Sequence, residues 1–269
     1  MKKLKITLCA VAILAAGALA FWKLRPAEKV PVKLTDKELT KDEAFPHTLW
    51  TKVLKKHSKD GYLRYKAVKD DPADLDAYLG YVAKFSPESK PETFPKREDR
   101  FAYAINAYNA YVVKGVIDHY PCESVMKIGS IPDDFFSQFE YPFGGKSYTL
   151  KAWENKAREE FGDPRIHFAV NCASIGCPRL PDEAFEPGRL EEQLARETQK
   201  FVNEERNVKA EDGKVKLSSI FKWYKGDFTK WLESKGKPPD LLVYLKECGR
   251  DVTGEIEFLP YDWGINDLK

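Results

Sequence analysis

The chain has 269 residues, 43% hydrophobic and 32% charged, which is enough apolar material for one substantial core and too much for a disordered chain. Its 44 basic and 42 acidic residues give a formal charge of +2; Lys2, Lys3, Lys5, Lys23 and Arg25 all precede residue 26 and no acid does, so removing those five leaves 39 basic residues against 42 acidic, a charge of −3. No basic patch remains to argue for a nucleic-acid partner.

Ile6 to Trp22 is an apolar or small-residue run of 17 residues behind three lysines. It reads as a signal peptide or signal anchor over residues 1–25, with membrane contact through residues 6–22. Ala18-Leu19-Ala20 fits a cleavage site, whereas Phe21-Trp22 followed by Lys23 and Arg25 fits an uncleaved interfacial anchor. Both put the later residues in the periplasm or another extracytoplasmic space, where disulfides are permitted. Residues 26–46 read as a linker, and 47–269 as a single α+β domain.

Within that domain His47 to His57 presents Leu49, Val53 and Leu54 on one helical face. Asp71-Pro72 starts a second helix with a Leu75, Tyr78, Leu79, Val82 stripe, which stops at Ser86-Pro87. Glu98 to His119 is the longest predicted helix, with Asn106 and Asn109 beside its apolar stripe. A buried asparagine needs partners for its amide, so these two brace a loop, pair with each other or hold a ligand. Glu140 to Leu150 reads as a hairpin around Gly144-Gly145, and Thr149 caps a helix to Phe161 that carries Glu154.

Asp163-Pro164-Arg165-Ile166-His167-Phe168-Ala169-Val170-Asn171-Cys172 then leads through Ala-Ser-Ile-Gly to Cys177-Pro178. Alternation over 166–170 predicts a strand with Ile166, Phe168 and Val170 on the core face and His167 on the other. A helix follows over Arg189 to Glu204, then a hairpin over Val208 to Leu217 around Asp212-Gly213. Ser218 to Trp231 and Asp240 to Cys248 read as helices, and Ile256 to Trp263 as a closing strand. Helices packed on a small, mainly antiparallel sheet is the expected architecture.

Three chemistries fit the central stretch. A thiol-dependent hydrolase or acyltransferase would use Cys172 as nucleophile, His167 as base and Glu154 or Asn106 to orient the ring, provided the chain turns at Asn171 to bring cysteine and histidine together. A binding or scaffolding module accounts for the same residues without reactivity: Cys172–Cys177 is a clip, His167 bonds Glu154, and Asn109, Arg165, Asn171 and Cys177 help form a groove for a peptide, glycan or small molecule. A metal site would draw on His119, Cys122, His167, Cys172 and Cys177, at spacings unlike the two-residue knuckles of zinc sites. The binding module is the favoured reading, with no cofactor and no metal ligands assigned.

Taken together, six segments resemble the family known as domain of unknown function 547. They are Phe101 to Val113 with its Asn-x-x-Asn, the Gly144-Gly145 hairpin, Leu150 to Glu154, Arg165 to Cys172 with Cys177-Pro178, Trp223-Tyr224-x-x-Asp227-Phe228, and Tyr261-Asp262-Trp263-x-x-Asn266. The resemblance implies an exported or membrane-linked bacterial protein and assigns no activity. A remoter likeness is to papain-like and transglutaminase-like folds, in which a helix packs on an antiparallel sheet and a strand supplies a histidine. In those enzymes a cysteine sits at the helix amino end, and helix 98–119 has none there.

Overall fold

A computed structural model describes residues 25–40 and 43–269. In chain order these form β1 (Glu28–Lys29), α1 (His47–His57), β2 (Ser58–Lys59), β3 (Tyr62–Leu63), α2 (Tyr65–Asp70), α3 (Ala73–Lys84) and α4 (Arg97–Asp118). There follow α5 (Asp134–Ser137), β4 (Phe139–Phe143), β5 (Lys146–Thr149), α6 (Leu150–Phe161) and α7 (Leu190–Asn203). The chain closes with β6 (Val208–Glu211), β7 (Lys214–Leu217), α8 (Ser219–Trp223), α9 (Lys225–Ser234), α10 (Leu241–Glu247) and β8 (Glu255–Phe258).

The fold is mixed helix and sheet, as expected, with its strands distributed over three small sheets rather than one. β4 lies between β1, which is parallel to it, and β5, which is antiparallel; β2 and β3 form a separate pair; β7 lies between antiparallel β6 and parallel β8. The linker does more than space the domain, because β1 extends the first sheet and Leu39 and Phe45 are buried. Among the described residues no helix is long and apolar enough to cross a membrane, and the run 6–22 lies outside them.

Helix α4 is the axis of the larger core. Every side chain from Phe101 to Val113 is buried, so the helix is wrapped on all sides instead of presenting one stripe. Small residues make this possible: Ala102, Ala107 and Ala110 admit close neighbours, and a Cβ on Gly115 would lie 2.5 Å from the Tyr141 hydroxyl and 2.8 Å from the Phe135 ring. Helix α6 is keyed to α4 by Trp153, whose indole N–H donates to the Ala104 carbonyl at 3.0 Å while its ring stacks on Phe143.

A second core gathers Phe168, Phe201, Phe221, Phe228 and Tyr244. The segment joining the two cores is not the predicted strand. Pro164–Phe168 is a turn of 3-10 helix, nucleated by the fixed φ of Pro164 and by Asp163, whose side chain accepts the Arg165 N–H at 3.1 Å. Ile166, His167 and Phe168 are consecutive and all buried, and a helical turn sends them into different surroundings where a strand would have left one exposed. Ile166 joins the larger core and Phe168 the second.

The expected helix over 218–231 is also interrupted. Tyr224, at φ −109° and ψ 21°, separates α8 from α9. Of the expected closing strand only β8 forms, and residues 259–264 continue irregularly beside the central stretch.

Candidate functional site

Where the two cores meet, a cleft of about 470 Å³ is lined by Tyr108, Glu154, His167, Cys172, Trp223 and Tyr261, among others. Helix α6 supplies Glu154, the 3-10 turn supplies His167, and the break between α8 and α9 brings Tyr224 onto the face of the imidazole and Asp227 to its Nε2 edge.

His167 Nε2 lies 2.8 Å from Asp227 Oδ2, and the ring stacks on Tyr224 with centroids 3.9 Å apart. The same Asp227 oxygen accepts from Arg158 Nε at 2.8 Å, and the Arg158 guanidinium lies over the other partner's ring, 4.7 Å from the Tyr224 centroid. Burial lowers the His167 pKa more than Asp227 raises it, so the imidazole is neutral at neutral pH. Burial raises the Asp227 pKa, but the hydrogen bonds from His167 and Arg158 outweigh it and hold the carboxyl well below the usual range. A carboxylate only accepts, so the neutral ring carries its proton on Nε2 and offers Nδ1 as a lone pair. Nδ1 makes no hydrogen bond within the described residues.

Glu154 does not bond His167 as expected. Its carboxylate accepts from Tyr224 Oη at 2.7 Å and from Tyr108 Oη at 3.4 Å, so the Tyr224 ring mediates between carboxylate and imidazole. Burial and the neighbouring Glu154 charge push the Tyr224 pKa up and keep its phenol protonated as a donor.

Asn106 is not part of this cluster. Its amide accepts the Phe185 N–H at 2.9 Å, donates to the Phe185 carbonyl at 2.8 Å and lies 3.0 Å from His47 Nδ1. It therefore braces a loop, because its position on α4 points it at α1 and residue 185. Asn109, three residues on, donates to the Ala169 carbonyl at 3.0 Å and accepts the Asn171 N–H at 2.8 Å, fixing the chain immediately after His167. Asn171 shapes the next turn by donating to the Pro178 carbonyl at 2.7 Å and accepting the Ala173 N–H at 2.8 Å. Arg165 is taken up by Asp163, at 2.9 and 2.6 Å, and by Glu191, at 2.9 Å, and does not face the cleft.

Cys172 and Cys177 are joined in a disulfide. Cys172 Sγ is therefore not a free nucleophile, and it sits 3.0 Å from the Tyr261 hydroxyl. His119 bonds the Gly115 carbonyl at 2.8 Å, and Cys122 is a free thiol. Among the described residues no three His, Cys, Asp or Glu side chains converge on a point where they could hold a metal ion.

One wall of the cleft is aromatic. Trp223 is 49% exposed and stacks at 5.8 Å on Trp263, with Tyr261 in contact with both at 4.8 and 4.5 Å. Sequence reasoning assigned no role to Asp227, although the Trp223-Tyr224-x-x-Asp227-Phe228 motif contains it; an acid two residues into a helix, after two adjacent aromatics, is the signal that was available.

No curated protein and no solved structure matches the chain. Asp227 and the aromatic wall lie beyond the span that a family match covers. Residues 92–202, which hold α4, Glu154, His167 and both cleft cysteines, match the family described as "Protein of unknown function, DUF547".

Proposed function

We propose that the chain is an exported envelope domain whose cleft binds a sugar ring. The observation that carries this reading is the Trp223–Tyr261–Trp263 wall. A large aromatic left 49% exposed beside two others is costly unless something covers it, and aromatic faces take the apolar C–H face of a ring. Glu154 and His167 supply acceptors in the same cleft that suit hydroxyl donors on the ring's edge, and Lys151, paired with Asp133, and the Tyr261 hydroxyl supply donors for its oxygens.

Titration of the purified chain with a panel of mono- and oligosaccharides, followed by tryptophan fluorescence, tests it. A saturable change that weakens at least about tenfold in Trp223→Ala is expected, the loss of one stacking partner at a hot spot. A fluorescence titration flat across the panel would overturn the sugar assignment.

Export rests on the lysine-flanked run at residues 6–22, with a membrane anchor there as the preferred form. A periplasm-active reporter fused after residue 35 is expected to be active; an inactive fusion, in cells where the protein accumulates, refutes export.

A further inference from the structure

We propose that the Cys172–Cys177 disulfide is a thiol-exchange site, opened by a low-molecular-weight thiol that enters the cleft. A structural clip is ordinarily sequestered and indispensable to the loop it closes. This one is neither. Both cysteines line the cleft with His167. The loop is also closed independently of sulfur: Asn171 Nδ2 donates to the Pro178 carbonyl at 2.7 Å, spanning the same residues. Ile175 and Gly176 donate their N–H groups to Gly264 and Asp262 at 2.7 and 2.8 Å, and Arg206 donates to the carbonyls of Ile175 and Cys177 at 2.7 and 3.1 Å. The bond can open without the loop letting go.

The two sulfurs are not equivalent. Cys172 is half-buried, whereas Cys177 is 6% exposed. The Cys172 N–H points at Cys177 Sγ at 2.8 Å, a donor already aimed at the sulfur that would become negative. Ala173, the first residue inside the loop, is held at φ 63°, a left-handed conformation that an alanine adopts only under constraint.

The step that follows is attack of the incoming thiolate sulfur on Cys172 Sγ. A new S–S bond forms, the Cys172–Cys177 bond breaks, and its electron pair leaves on Cys177 Sγ beneath the Cys172 N–H. His167 Nδ1 accepts the proton of the incoming thiol. A second thiolate then attacks the small-molecule sulfur of the mixed disulfide, and its bond to Cys172 Sγ breaks with the electron pair leaving on Cys172. The two protons given up by the thiols end on Cys172 and Cys177; two thiols are oxidised to the small disulfide and the cysteine pair is reduced. This chemistry uses the cleft whether or not it also takes a sugar.

The test is incubation of the folded full chain with reduced glutathione near pH 7, an acid quench, and mapping of adducts by mass spectrometry. Glutathione on Cys172, with Cys177 free to alkylate and circular dichroism unchanged, is the expected result. An adduct on Cys177, or one that forms only in denaturant, overturns the proposal. His167→Gln is expected to slow adduct formation at least about tenfold near pH 7, the lower side of general-base effects. That deficit should vanish near pH 9, where the thiol, with a pKa of about 8.5, ionises unaided. A deficit of equal size at both pH values assigns His167 no proton role. Should that variant fail to fold, the position of the adduct in the parent chain still decides the matter.

Discussion

Asp227 sets one carboxylate oxygen 2.8 Å from His167 Nε2 and 2.8 Å from Arg158 Nε, so a single atom orients the buried imidazole and neutralises the guanidinium that lies over Tyr224. Asp227→Asn replaces an acceptor-only partner of the ring with an amide that can accept or donate, and strips Arg158 of its counter-charge. It is expected to cost about 1–3 kcal/mol, the range for a partly buried charged hydrogen bond. In nitrogen-resolved NMR the His167 ring should lose its strong preference for the Nε2–H tautomer. A variant with parental stability and tautomer would mean that Asp227 does not orient the ring.

Acid should destabilise the fold from about pH 6.5 downward. His47 is buried, its Nε2 has no hydrogen-bond partner among the described residues, and burial pushes its pKa down to about 3. Below the unfolded value of about 6.5 the unfolded chain takes up the proton and the folded chain does not, so stability is lost as pH falls through this window. At about 1.4 kcal/mol per pH unit the loss for His47 is on the order of 4 kcal/mol by pH 3. His167 adds in the same direction because burial lowers its pKa too. Urea midpoints measured against pH should show this slope, and His47→Gln should flatten it.

Asn109→Ala should be among the most damaging single changes near the cleft. It leaves the Ala169 carbonyl and the Asn171 N–H buried without their partner, for a cost of about 2–4 kcal/mol. Asn109→Asp, which keeps the acceptor for Asn171, should restore only part of it. Thermal melts of the two variants beside the parent measure the difference.

Cys172→Ser and Cys177→Ser should each lose no more than about 2 kcal/mol, the loop-entropy value for so short a closure, and by similar amounts. The hydrogen bonds of Asn171, Ile175 and Gly176 remain, so the near-ultraviolet dichroism of Trp223, Tyr261 and Trp263 should persist. Collapse of that signal in either variant would show that the bond, not the hydrogen bonds, holds the loop.

The elements that were legible are those decided by neighbours along the chain. Helix α4 appears at Arg97–Asp118 against an expected 98–119, and the hairpin of β4 and β5 turns at Gly144-Gly145, where only residues tolerant of positive φ fit. The Thr149 cap is present as well, its side chain accepting the Ala152 N–H at 3.2 Å. Propensity, caps and periodicity suffice for these because their hydrogen bonds close within a few residues.

Residues 166–170 mark where such reasoning stops. Alternation of apolar and polar side chains suited a strand, but burial of Ile166, His167 and Phe168 between two cores was available only to a helical turn, and no local signal announces that both neighbours will be covered. The sequence also singled out His167, Glu154 and the cysteine pair by residue type alone. Their partners were decided elsewhere: Asp227 lies 60 residues from His167 and Tyr261 lies 89 from Cys172. Asn106 and Asn109 were indistinguishable as amides on one helix, and a separation of three residues sent one to residue 185 and the other to the turn beside His167. Composition and local pattern determined the elements whose hydrogen bonds close locally and which polar residues would need partners. Only the packing of the two cores against each other decided which partners they found, because burying a polar group sets the requirement and long-range chain geometry alone supplies the group that meets it.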